Sequence, residues 1–156
     1  MEMKKDKIIG YIAIIGSIIL VAGLGSLFVN LGMEYFDSLE RPSEFVPSFV
    51  IPIVWTVIYC IFAVVLCIIY SKQEFDFKTT ILLAINGILN ILWCLLFFTL
   101  ESTLLGVISI ILLLISSYLL VIDLLKYKVW YAYLTVLYPI WVSCATCLNL
   151  ALWILN

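Results

Sequence analysis

The side chains able to do chemistry in this sequence are aromatic and amide groups set inside apolar stretches. Trp55 and Tyr59 lie about one helical turn apart, with Pro52 one turn before Trp55, where it can kink the entry of a helix. Asn86 and Asn90 repeat that spacing, and Trp93 follows on the same face. Tyr138, Trp141, Ala145 and Asn149 form a third row at helical spacing, with Pro139 among them. A side-chain amide in hydrocarbon needs a hydrogen-bond partner, since an unmet one is costly there. A bond to another helix meets that need, and so does contact with a ligand; the spacing leaves both readings open. The aromatic rows are equally two-sided, as packing or interfacial belt or as a surface for stacking. Trp130, Tyr131 and Tyr133 suit the belt, whereas Trp141 sits deeper in its segment.

Other chemistry is missing from the chain. It has no histidine, which removes the usual proton shuttle, the commonest metal ligand and the usual haem ligand. The five cysteines, Cys60, Cys67, Cys94, Cys144 and Cys147, all fall in apolar stretches, where free cysteine behaves as a small hydrophobe, and none has metal-binding spacing. No metal site is expected. Lysine and arginine are absent from the apolar cores, and acidic residues cluster at segment ends, with Asp123 near the last turn of the fourth. Ion-coupled transporters and proton pumps usually carry an intramembrane ionisable group, so active coupling is disfavoured, while passive movement of a hydrophobic solute stays open. A net charge of −2 supplies no basic patch, and no nucleic-acid partner is expected.

The elements that must position these residues follow from composition. Hydrophobic residues make up 66% of the chain and charged ones 12%, against roughly 45–50% and 25% in soluble domains. The bilayer is the natural solvent. Five stretches reach the ~20 apolar residues that cross hydrocarbon as a helix, at about 8–29, 48–70, 80–100, 103–125 and 129–155. The expected fold class is all-α, a single integral membrane domain of five transmembrane helices spanning 1–156. The first helix is read as retained rather than as a cleaved signal, because its apolar run is long and no small-residue cleavage site follows. Connections two to four are short, so consecutive helices are expected to be antiparallel neighbours. The loop at 30–47 is the exception, rich in acids and holding Pro42 and Pro47, and it alone is large enough to form a lid.

Lys4, Lys5, Lys7, Lys72, Lys78, Lys126 and Lys128 all fall on one side of the threading and only Arg41 on the other. The positive-inside rule then puts the amino terminus in the cytoplasm, with the first loop and carboxyl terminus outside. This expectation takes the host membrane to be a bacterial plasma membrane. Under that topology Trp55, Trp93 and Asn149 share a depth in the outer half, beneath the first loop. Small residues four apart in the first helix, Ala13 with Ser17 and Ala22 with Ser26, suit self-association.

Three motifs in order resemble one family. Tyr35-Phe-Asp-Ser-Leu-Glu-Arg-Pro42, then Pro47 and Val54-Trp-Thr-Val-Ile-Tyr59, form the first. Leu89-Asn-Ile-Leu-Trp93 with Phe97-Phe98 is the second, and Tyr138, Trp141, Ala145-Thr146, Leu148-Asn149, Trp153 and Asn156 the third. Together they resemble the TspO/translocator protein family, also called tryptophan-rich sensory protein or peripheral benzodiazepine receptor, over about 25–156. There are departures. Glu44-Phe45-Val46-Pro47 stands where the family has Trp-x-Pro-Pro, and Leu137 stands where a proline precedes the tyrosine. Cys147 and Ile154 replace the tyrosine and basic residue of the animal members' cholesterol motif, so no sterol binding is expected through it.

The resemblance implies a membrane receptor or sensor for small planar hydrophobic ligands, protoporphyrin IX or a related tetrapyrrole, held in a pocket under the first loop. The implied contacts are Trp55, Tyr59, Asn90, Trp93, Tyr138, Trp141, Ala145 and Asn149, with Pro42 and Pro47 in the lid. Flat apolar rings suit indole faces, and the lack of histidine favours a metal-free porphyrin over haem. No resident cofactor is required. It also implies alternatives: a light-dependent porphyrin-degrading enzyme with Trp55 and Trp141 as the reactive pair, a transporter of tetrapyrroles or other lipophiles, or a membrane scaffold. A homodimer is a further implied partner.

Overall fold

A computed structural model of the chain describes residues 2–42, 46–72, 75–127 and 130–156, apart from the side chains of residues 2–6 and 131. Glu44 and Phe45 of the altered loop motif lie outside the described residues, as does Lys128, and so do the side chains of Lys4, Lys5 and Tyr131. The elements are α1 (Glu2–Leu31), α2 (Met33–Ser38), α3 (Val50–Lys72), α4 (Phe77–Cys94), α5 (Thr103–Leu125) and α6 (Leu137–Leu155). No strand occurs among the described residues. Five segments are long and apolar enough to cross a bilayer: Lys7–Leu31, Val50–Lys72, Phe77–Thr99, Thr103–Leu125 and Ala132–Leu155. Apolar side chains point outward all round the bundle, as expected of a protein solvated by lipid.

The five long helices form a ring in the order α1, α3, α6, α5, α4. This corrects the expectation that each short connection joins neighbours. It holds for α4–α5 and α5–α6, but α3 and α4 nowhere bring their Cα atoms within 8 Å of each other. A connection from Lys72 to Phe77 reaches about 17 Å when extended, nearly twice the ~8–10 Å between packed helices. Shortness therefore does not force contact, and α1 takes the place between them. The centre of the ring is filled by long side chains, among them Trp93, Phe97, Phe62 and Tyr138.

Two local breaks in helical geometry shape the bundle, one at each end. The last turn of α4 widens into a π-turn at Leu95–Thr99, closed by Leu100 N–H donating to the Leu95 carbonyl at 2.9 Å. Such turns shift the phase of a helix face, and here Phe97 and Phe98 both turn inward, their rings 4.8 Å apart. The second break corrects the continuous fifth helix expected from 129. Residues Trp130–Val136 are 3-10 helix, and α6 proper begins at Leu137. Pro139 has no N–H to donate, and the first turn of an α-helix is where that donor is not needed.

At the lysine-rich end a polar staple also joins α4 to α5. Asp76 caps α4, accepting from the Thr79 N–H at 2.9 Å. The buried Asp123 carboxylate accepts from Thr79 Oγ1 at 2.6 Å, and from Lys78 Nζ and Lys126 Nζ, each at 2.9 Å. Lys126 also reaches Asp76 at 2.8 Å. Its bond to Lys126 and those from the Thr79 N–H and hydroxyl hold the Asp76 carboxyl well below the usual carboxylate range. A carboxyl depressed by folding stabilises the folded state above its unfolded pKa of about 3.9 and loses that contribution as pH falls further. Thermal stability is therefore expected to be level near neutrality and to fall below about pH 4. Asp76→Asn keeps a competent cap and should make that acid limb shallower; melting curves across pH check it, and an unchanged limb would remove Asp76 from the account.

Candidate ligand site

The loop end holds a small pocket of about 60 Å³. Its walls come from Phe36 of α2, Val46 at the end of the loop, Ile51 and Trp55 of α3, Trp93, Phe97 and Phe98 of the α4 end, and Trp141, Cys144, Ala145, Leu148, Asn149 and Leu152 of α6. Trp55 stacks on Tyr59 with ring centroids 5.8 Å apart and lies 5.9 Å from Trp93. These rings bridge the gap that the backbones of α3 and α4 leave open. Trp93 Nε1–H donates to Asn149 Oδ1 at 3.2 Å, and Asn149 Nδ2 donates to the Ala145 carbonyl at 2.9 Å. The second indole N–H of this wall is different: Trp141 Nε1 is buried with no acceptor among the described residues.

The anticipated site residues divide between two cavities. Trp55, Trp93, Trp141, Ala145 and Asn149 meet in the small pocket under the loop. Tyr59, Asn90 and Tyr138 instead line a larger cavity of about 540 Å³ on the other side of the aromatic layer. There the Tyr59 hydroxyl donates to Asn90 Oδ1 at 3.0 Å. Tyr138 donates to Asn86 Oδ1 at 2.9 Å, and Asn86 Nδ2 donates on to Ser116 Oγ at 2.8 Å. The asparagines thus join helices, and Tyr59 and Tyr138 form a partition behind Trp55, whose ring lies 6.1 Å from that of Tyr138. Pro42 and Pro47, expected in a lid, lie in the first loop and line neither cavity.

The amino-terminal half of the first loop is held at two places. Phe36 of α2 packs on Phe97 and Phe98, at 6.2 and 5.4 Å between centroids. The Arg41 guanidinium lies 4.5 Å over the Phe36 ring and donates to Asp37 Oδ1 and the Phe36 carbonyl. Further along, Glu40 N–H donates to Asn156 Oδ1 at 2.9 Å while Asn156 Nδ2 donates to the Glu40 carbonyl at 3.1 Å. That pair ties the loop to the end of α6. The sequence reading took Asn156 only as part of a motif, and it did not single out Phe36 or Ser116. Their roles depend on the ring order of the helices, which local spacing does not carry.

Comparison with known proteins bears on this arrangement of rings beneath a lid. The TspO/MBR family matches residues 13–154. The chain belongs to the TspO/MBR family. Among its TspO relatives, the Tryptophan-rich protein TspO of Chlorobaculum tepidum is 31% identical over 91% of this chain and 92% of its own length. The Tryptophan-rich protein TspO of Bacillus cereus is 28% identical over the full length of both, and that of Archaeoglobus fulgidus 27% identical over 96% and 98%. TspO/MBR membership supports a sensor or receptor role in a membrane.

Proposed function

We propose that the chain is a membrane receptor that closes its first loop over a planar hydrophobic ligand, a metal-free porphyrin such as protoporphyrin IX, and that the loop faces the outside of a bacterial plasma membrane. The observation that carries this reading is the buried Trp141 indole N–H, without an acceptor among the described residues, in a pocket walled by three tryptophans. A buried donor left unpaired costs about 1–3 kcal/mol. A ligand carbonyl or carboxylate would remove that cost while its ring stacks on the indoles. At about 60 Å³ the pocket is far below the ~300–1,000 Å³ of occupied ligand sites. Binding then requires the lid to lift and Trp55 to move off Trp93.

Dark titration of the detergent-solubilised protein with protoporphyrin IX, followed by tryptophan fluorescence, tests the proposal. Saturable quenching at micromolar ligand is expected; quenching that rises linearly would mean partitioning into detergent and would sink it. The Glu40–Asn156 pair gives a kinetic expectation. Asn156→Ala removes both hydrogen bonds to Glu40, worth about 1 kcal/mol each, and stopped-flow quenching should show association and dissociation both faster by roughly fivefold or more. Unchanged rates would mean that this pair does not hold the gate.

A second reading is favoured by Trp55 and Trp141 lining the same pocket. A photoexcited porphyrin between them would have oxidisable indoles on its flanks, with no acid–base pair needed. Light would then convert the receptor into a porphyrin-degrading enzyme.

A further inference from the structure

The larger cavity lies away from the lid, in the lysine-rich half of the bundle, and its shape follows from how α1 crosses α4. Near the loop end the two helices are close, because Gly25 and Gly32 have no side chains. A Cβ on Gly25 would sit 3.4 Å from Cys94 Sγ, and one on Gly32 would collide with the Phe98 carbonyl. Toward the lysine-rich end α1 leaves α4 and leans on α3 instead, where Gly10 admits the Tyr70 ring and Tyr11 packs on Tyr70 at 5.4 Å. The divergence leaves a cleft of about 540 Å³ with α3 as its floor. On α1 the lining runs from Gly10 to Val21, a length of about 16 Å at 1.5 Å per residue. Its far end is closed where Gly87 meets Val21 Cγ2, 3.1 Å from where a Cβ would stand, and by the Tyr59–Asn90 bond.

The cleft's mouth is edged by Ala13, Ser17 and Leu20 of α1 and by Thr80, Ala84 and Ile88 of α4, all exposed on the bundle's outer face. It therefore opens to the hydrocarbon of the bilayer. Most of its polar wall groups bond within the protein. Ser17 donates to the Ala13 and Ile14 carbonyls, the Tyr59 hydroxyl to Asn90, and Asn86 to Ser116. Such a space offers few orienting partners to a polar ring edge, and a void of this size forfeits close packing along its whole wall. Narrow, blind and apolar, it suits an extended hydrocarbon chain. The open end carries cations: Lys7 stands one turn before Gly10 and Lys72 two residues after Tyr70.

We propose that this cleft binds one acyl chain of an anionic bilayer phospholipid, with the phosphate beside Lys7 and Lys72. The site is separate from the pocket under the lid and does not depend on what binds there. It also gives Ala13 and Ser17 a role other than pairing with a second copy.

The test is photolabelling of the full chain in phosphatidylcholine vesicles doped with a phosphatidylglycerol carrying a diazirine in its acyl chain, with labelled residues mapped by peptide mass spectrometry. Labelling should concentrate on Ala13, Ser17 and Ala84, and excess unlabelled phosphatidylglycerol should compete it away. Ala84→Phe, which plugs the mouth, should lower labelling at Ser17 by fivefold or more while leaving Ile115 and Leu119 on the lipid-facing side of α5 unchanged. Should that variant lose its elution profile or melting temperature, Ser17→Leu plugs the cleft from α1 and is read at Ala84. Equal labelling of cleft and α5 residues, insensitive to both plugs, would overturn the proposal. So would displacement of the label by protoporphyrin IX, which would assign the cleft to planar ligands. Loss of label on raising protein density at constant lipid would assign it to a second copy and overturn it equally.

Discussion

Trp55→Phe/Trp141→Phe is expected to bind protoporphyrin IX roughly thirtyfold more weakly in the dark, a loss of about 2 kcal/mol. Phenylalanine keeps a ring at each position, so the hydrophobic wall survives. What disappears is the Trp141 N–H, the buried donor without an acceptor among the described residues, worth about 1 kcal/mol once paired. The wider indole face at Trp55 goes too, worth a similar amount in stacking. Trp153→Phe is the control, since Trp153 is exposed on the outer face of α6 and lines neither cavity. Under illumination the same double variant should show no light-dependent loss of porphyrin absorbance if the enzyme reading is right. Binding weakened with the light reaction retained would keep the receptor and discard the indole chemistry. Binding equal to the unmodified protein would discard the pocket itself.

Asp123→Ala should lower the melting temperature by roughly 4–8 °C, corresponding to about 2 kcal/mol for a chain of this size. The carboxylate is buried and gathers Thr79, Lys78 and Lys126 at once. Breaking a wholly buried ion pair costs about 3–5 kcal/mol. Here both lysines keep access to water, Lys78 most of all, with 72% of its side chain exposed, so part of that cost is recovered by rehydration. The Thr79 hydroxyl, fully buried, is also left with one fewer acceptor. Asp123→Asn retains shape and an acceptor and should fall between the two. A variant melting like the unmodified protein would mean that apolar packing alone holds α4 to α5. Since the staple is far from the lid, porphyrin affinity should be unaffected by either change.

Much of this architecture was legible locally. The run lengths of apolar residues specify five membrane spans because a hydrocarbon layer accepts only a backbone that satisfies its own hydrogen bonds. The one-turn spacing of Trp55 with Tyr59, and of Tyr138 with Trp141 and Ala145, puts each set on one helix face without reference to any other helix. The depth match of Trp55, Trp93 and Asn149 follows from threading direction, and the three do line one pocket. Less legible were features that depend on an irregular backbone. The π-turn that brings Phe97 and Phe98 inward side by side has no signature in apolar periodicity. The seven-residue 3-10 start of the last span has no such signature either, and the run from 129 reads as one continuous helix.

By itself, then, the sequence determines the solvent, the number of spans and the stock of chemistry: indoles, phenols and amides, without an imidazole or an ionised group in the apolar core. Those properties are additive along the chain, each span answering to the bilayer separately. Only the tertiary structure decides which faces meet. It places α1 between α3 and α4, sends Tyr59, Asn90 and Tyr138 to a different cavity from Trp55 and Trp141, and ties Glu40 to Asn156. The reason is that helices in lipid have no hydrophobic drive toward one another and pack by shape and hydrogen bonding. Shape here turns on single residues, Gly32 against the Phe98 carbonyl and Gly10 against the Tyr70 ring, whose partners lie far away in the chain.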